Sequence, residues 1–102
     1  MENYTIITLC GSTKFKSKFE ELNCDLTLKG KIILQPGCFI HSDKIYITDE
    51  QKEKLDELHK KKILMSDCIL VINENNYIGS STRSEIDFAI NHNIPVFYLH
   101  EV

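Results

Sequence analysis

The chain has no tryptophan, only two prolines and four glycines, and no excess of basic residues, and each shortage excludes something. With proline and glycine this sparse, the sequence is neither collagen-like nor low-complexity, and it contains no internal repeat or linker. No apolar run approaches the roughly 18 residues of a membrane span, so no membrane association is expected. Twelve lysines and arginines stand against 15 acids, a net charge of -3. That lacks the basic surface that neutralises a phosphate backbone, so no nucleic-acid polymer is expected as partner. The Lys60-Lys61-Lys62 run reads as a solvated helix face. Cys10, Cys24, Cys38 and Cys68 form no C-x-x-C pair and are spaced too widely for a zinc knuckle. They are read as small hydrophobes in a reducing cytoplasm, and neither a metal nor a cofactor is expected. The opening Met1-Glu2-Asn3 has no signal-peptide pattern, which gives the expectation of a cytoplasmic protein.

What is present fits one globular domain over residues 1–102, long enough for a single core and too short for two. "YTIITLC" is a β-branched, apolar run that stops at Gly11-Ser12, and Phe15, Phe19, Leu22 and Leu26 follow at helical spacing. "KIILQP" gives a second strand closed by Pro36 and Gly37. Residues 38 to 48 have no steady period and read as a loop over the top of the sheet. Leu55, Leu58 and Ile63 mark a charged helix to about Ser66. "CILVIN" is a buried strand, residues 81 to 92 a third helix and "IPVFYL" a last strand. Apolar strands alternating with helices predict an α/β fold: a small Rossmann- or flavodoxin-like three-layer sandwich on a mostly parallel sheet of four to five strands.

Ligands of such sheets bind at the carboxyl ends of the strands, where "CGSTK", "QPGC" and "NENNYIGSSTRSE" carry the polar residues of this chain. The first and third of these loops put glycine, hydroxyls and a cation just before a helix, where free N–H groups favour an anion such as phosphate. A simpler reading stands beside this one. Thr82-x-x-Glu85 also fits a capping box, and Gly11 and Ser12 fit an ordinary turn and N-cap. His59 lies beside the apolar stripe of its helix, as a half-buried structural histidine or as a ligand contact. Asp67 and Asn73 bracket the third strand, and Asp67 fits a cap of the turn before it. Asp87 should point about 160° away from Glu85 around the helix, so the two are not expected to act as a pair.

"LCGSTK", "SDCILVINE" and "YIGSSTRSEIDFAI" together resemble the nucleoside 2-deoxyribosyltransferase superfamily, which includes deoxynucleoside 5′-monophosphate N-glycosidases; the similarity spans most of the chain. The resemblance implies that Glu85 attacks C1′ of the sugar and forms a glycosyl-enzyme intermediate, which water or a second base resolves. It implies a phosphate site built from Gly79, Ser80, Ser81 and Thr82 together with Gly11 and Ser12. Lys14 and Arg83 would add charge by their type and place, and Asp67 and Asn73 complete the implied substrate-binding set. Where the family has an aromatic residue and a second acid, this chain has Thr8 and His59, which makes His59 the candidate general acid. The expected partner is a nucleotide or nucleoside, and no metal is implied. The small unit, with Tyr46 and Tyr77 at its edges, is expected to form a homodimer or higher oligomer whose neighbour covers the site. Two other classes stay open: a catalytically silent nucleotide-binding or sensing module with the same pocket, and a structural domain whose loops are only caps.

Overall fold

The structure, a computed structural model, describes residues 1–101. Its elements run β1 (Ile6–Gly11), α1 (Lys16–Leu28), β2 (Ile32–Leu34), α2 (Asp49–Met65), β3 (Cys68–Ile72), α3 (Ser80–Asn91) and β4 (Val96–Tyr98). Single 3-10 turns lie at Thr13–Phe15 and Glu74–Asn76. All four strands are parallel, in the order β2-β1-β3-β4. The α/β fold expected from the alternating pattern is therefore present, with a four-stranded sheet. No helix among the described residues is long and apolar enough to cross a membrane.

The strand order dictates where a ligand can enter. The chain leaves β1 for β2 in one direction and returns past it to β3 in the other, so the connections diverge at the carboxyl ends of β1 and β3. A crevice opens at such a switch point. Gly11 and Ile72 are register partners there, and a Cβ on Gly11 would come within 3.0 Å of both the Cβ and the carbonyl oxygen of Ile72. Only glycine lets the two strand ends close up at the base of the crevice.

Two cores follow from the alternation of side chains across the sheet. Ile7 and Leu9 point to one face, where they join Phe19 of α1 and Phe39. Cys10 points to the other face, with Ile69 and Val71, against Ile63 of α2 and Ile86 and Ala89 of α3. Thr8 shares that second face, fully buried, and its hydroxyl donates to the Lys62 carbonyl at 3.2 Å. It pins α2 to β1 in place of making a ligand contact.

Element ends have local causes. Gly30, at φ 91°, takes the left-handed position just past α1 that a side chain would strain. The capping box of this chain lies at α2, where Thr48 accepts from Gln51 N and Gln51 returns the bond to Thr48 N. The box expected at Thr82 and Glu85 is absent: α3 begins at Ser80 after an N-cap Gly79, so Thr82 is its third residue and Glu85 its sixth. Residues 38–48 contain no helix or strand, as expected of a loop, and are pinned by the packing of Phe39 on Phe19 at 5.2 Å and by the Lys16–Asp43 ion pair at 2.7 Å.

Candidate active site

A cleft of about 630 Å³ opens at the carboxyl ends of β1 and β3. Its walls are the turn after β1 (Gly11, Ser12, Thr13), the loop after β2 (Pro36 to Cys38, Ile40, His41), one face of α2 and the first turns of α3. Gly79, Ser80, Ser81, Thr82 and Glu85 all line it, as does His59. Eight of the residues singled out from the sequence are thus brought together here.

Four are not. Asp67 precedes β3 and therefore sits at the opposite, amino edge of the sheet. Its carboxylate accepts from the backbone N–H groups of Thr5 and Ile6 at 3.1 and 2.9 Å. Asn73 is fully buried, with both amide atoms committed to the backbone of His100 at 2.9 Å. Lys14 does not itself line the cleft; its ammonium lies 3.5 Å from the centre of the ring of Tyr77, which does. Arg83 is exposed and lies off the cleft. Asp67 is at the wrong end of its strand, and the others lie near the cleft in sequence but have side chains that do not line it.

The cations that do reach the cleft come from α2. Lys52 Nζ donates to Ser81 Oγ at 2.9 Å and pairs with Asp56 at 2.7 and 2.8 Å. Lys61 and Lys62 also line it, and Lys62 Nζ donates to the Gln35 carbonyl at 2.8 Å. The lysine run is therefore part of the cleft wall and not only a solvated face. Lys52, Asp56, His59 and Ile63 recur at intervals of four, three and four residues, one stripe of a helix, and this spacing was readable in the sequence. Thr13 and His41 meet through their side chains at the mouth of the cleft, a pairing across 28 residues that no local pattern announces.

At the floor, His59 of α2 and Glu85 of α3 meet, with Cys10 of β1 fully buried beneath them. Cys10 Sγ is 3.5 Å from His59 Nε2, which is 3.8 Å from Glu85 Oε1. All three residues are buried, Glu85 only 8% and His59 only 6% exposed. Burial raises the Glu85 carboxyl to about 7, reinforced by the Asp56 charge and opposed by the Cys10 thiol and by Lys52 and Lys60. Burial lowers His59 to about 4, with Lys62 acting in the same direction. The Cys10 thiol is pushed well up, again chiefly by burial and then by Glu85. The 3.8 Å approach of His59 to Glu85 has the geometry of an ion pair, yet desolvation disfavours both charges. With its pKa lowered to about 4, the imidazole is neutral at neutral pH in the free protein. Its Nδ1 is buried without a partner of hydrogen-bond geometry.

No family model matches the chain, and no curated protein matches it.

Proposed function

We propose that the chain cleaves or exchanges the N-glycosidic bond of a nucleoside 5′-monophosphate, with Glu85 as nucleophile. The observation that carries this reading is a buried carboxyl, Glu85, at the floor of a cleft whose upper wall is the uncapped start of a helix. Gly79, the N-cap of α3, contributes no side-chain cap, so the N–H groups of the first turn face an anion without an internal competitor. Lys52, held at Ser81, adds a positive charge at the same place. A phosphate at that turn would set the sugar deeper, toward Glu85, and the resemblance to deoxyribosyltransferases assigns that carboxylate to C1′.

In the proposed reaction a Glu85 oxygen bonds to C1′ as the C1′–N bond breaks. The electron pair leaves on the base nitrogen, which takes its proton from solvent through the open cleft. Water or a second base then displaces the carboxylate from C1′. His59 acts as a neutral neighbour that holds the carboxylate in place. The open side of the cleft, bordered by the exposed Leu58 and Met65, is where a second copy of the chain would close the pocket under this reading.

Incubation with a panel of nucleotides, with free base read by chromatography, tests the reaction. A nucleoside monophosphate should bind at least about tenfold more tightly than its nucleoside by calorimetry, about 1.4 kcal/mol. Equal affinities would remove the phosphate site. Monophosphate binding without any base release would instead establish a silent nucleotide-binding module.

The pH dependence follows from the Glu85 carboxyl. Only its ionised form attacks, and its pKa lies near 7. In chelator-containing buffer, base release under saturating substrate is expected to climb between pH 6 and 8. A fall above pH 7 would mean that the proton on the Glu85–His59 pair is needed by the leaving base, and would return His59 to the role of acid.

A further inference from the structure

The reaction proposed above makes no use of Cys10, a thiol fully buried beneath the cleft floor with its sulfur within 4.8 Å of a Glu85 oxygen. Its surroundings are those of a metal ligand. Cys10, His59 and Glu85 each offer one donor atom, from three different elements, and the three atoms lie within 4.8 Å of one another. We propose that these three side chains form a site for a thiophilic divalent cation of the zinc class, whose occupancy takes Glu85 out of use as a nucleophile.

Geometry supports this before chemistry does. Around a tetrahedral zinc with a metal–sulfur distance near 2.3 Å and metal–nitrogen and metal–oxygen distances near 2.1 Å, neighbouring sulfur and nitrogen ligands lie about 3.6 Å apart, and nitrogen and oxygen about 3.4 Å. The observed separations are 3.5 Å for Cys10 Sγ to His59 Nε2 and 3.8 Å for His59 Nε2 to Glu85 Oε1. Cys10 Sγ and the Glu85 oxygen lie within 4.8 Å, against about 3.6 Å in a tetrahedral site, so side-chain movement is what brings the set onto an ion. The set is one sulfur, one nitrogen and one oxygen, which selects zinc-like ions over magnesium or calcium, whose ligands are oxygens. The strand, α2 and α3 supply three ligands, and the cleft above leaves the fourth position to water or a ligand oxygen, the open arrangement of a non-structural site.

A simpler account is that the trio is hydrogen-bonded and nothing more. Two features favour the metal site. A buried thiol, imidazole and carboxyl from three elements converge on one point, and the outer nitrogen of His59, Nδ1, is buried without a hydrogen-bond partner. A metal-bound imidazole has that nitrogen free as an N–H donor to a neighbouring acceptor. Binding would release the thiol proton, and the carboxyl proton wherever Glu85 is protonated, to solvent, so no other reactant is needed.

Metal binding does not rest on the glycosidase reading, and the test is independent of turnover. It uses a Cys24→Ser/Cys38→Ser background, because both of these thiols are exposed and would bind zinc adventitiously. Chelator-treated protein is titrated with cobalt(II) and its absorption recorded, and zinc retained after dialysis is quantified. One metal per chain and a thiolate-to-cobalt charge-transfer band are expected. Adding Cys10→Ser should abolish the band and weaken zinc binding at least tenfold, while magnesium should not displace cobalt. The far-UV spectrum and melting of the metal-free variant confirm that it folds; if it does not, His59→Gln takes its place, with weakened binding expected. Cobalt that binds without a thiolate band, or zinc binding unchanged in a folded Cys10→Ser protein, overturns the proposal. If base release is also found, zinc should inhibit it; absence of base release leaves the metal result standing by itself.

Discussion

Glu85→Gln is expected to abolish base release, by at least about 1,000-fold, while leaving monophosphate binding in place, because an amide cannot form the glycosyl ester. The same substitution is expected to raise stability at alkaline pH. The folded-state pKa of Glu85 is raised from 4.5 to about 7, so the folded protein holds a proton that the unfolded chain has lost. The contribution is fully present below pH 4.5 and is lost as pH rises through 7. The difference corresponds to a cost on the order of 3 kcal/mol for the buried, ionised carboxylate at pH 8. Glutamine avoids that cost, so the variant should melt higher than the parent at pH 8 and at about the same temperature at pH 4.5. His59 works in the opposite sense, since its lowered pKa removes stability as pH falls from 6.5 through 4, and it is common to both proteins. A variant that still releases base at the parent rate would sink the nucleophile assignment. One that loses stability at every pH would show instead that the carboxylate makes a favourable structural bond. A capping role is no longer an alternative, because the sixth residue of α3 is too far along the helix to reach the cap.

Asn73→Ala should cost stability and nothing else. Its amide is fully buried and makes two hydrogen bonds of 2.9 Å to the backbone of His100, which fasten the segment after β4 to the end of β3. Truncation loses both, leaves the part-buried His100 N–H and C=O without these partners, and opens a small void, a total of about 2–4 kcal/mol. For a domain of this size that lowers the melting temperature by about 10 °C or more. In folded protein at low temperature the monophosphate affinity should match that of the parent. Weakened binding without loss of stability would instead place Asn73 among the ligand contacts.

Much of this molecule is decided locally. "CILVI" is buried at every position, as a strand covered on both faces must be, and its unbroken apolar run states this without reference to the rest of the chain. The alternation of such runs with helical spacing determines a parallel α/β sheet, and parallel strands bring all the loops after them to one edge. From that alone the turns at Gly11-Ser12 and Gly79-Ser80 had to be neighbours, as they are. By the same logic Asp67, which precedes its strand, had to lie at the other edge, and the resemblance that drew it into the site concealed this. The sequence also held the stripe Lys52, Asp56, His59 and Ile63, legible from helical period.

Other features belong to the tertiary structure. That Glu85 is a buried carboxyl and not a capping residue depends on where α3 starts, and the start is fixed by the turn at Asn75 and Asn76, both with positive φ, which carries the chain from β3 to Gly79. The asparagines tolerate that conformation, but three hydroxyl residues in a row offer several equally good starts, so local preference could not choose among them. Cys10 is the clearest case. In sequence it is one more small apolar residue of β1, and nothing near it suggests a ligand. Only the crossing of α2 and α3 over that face of the sheet sets His59 and Glu85 around it and removes the water that would otherwise keep the carboxyl and the imidazole at their ordinary pKa values. Contacts between residues 10, 59 and 85 are set by packing at long range, and desolvation is a property of the assembled core; neither is encoded in any stretch of chain short enough to be read as a pattern.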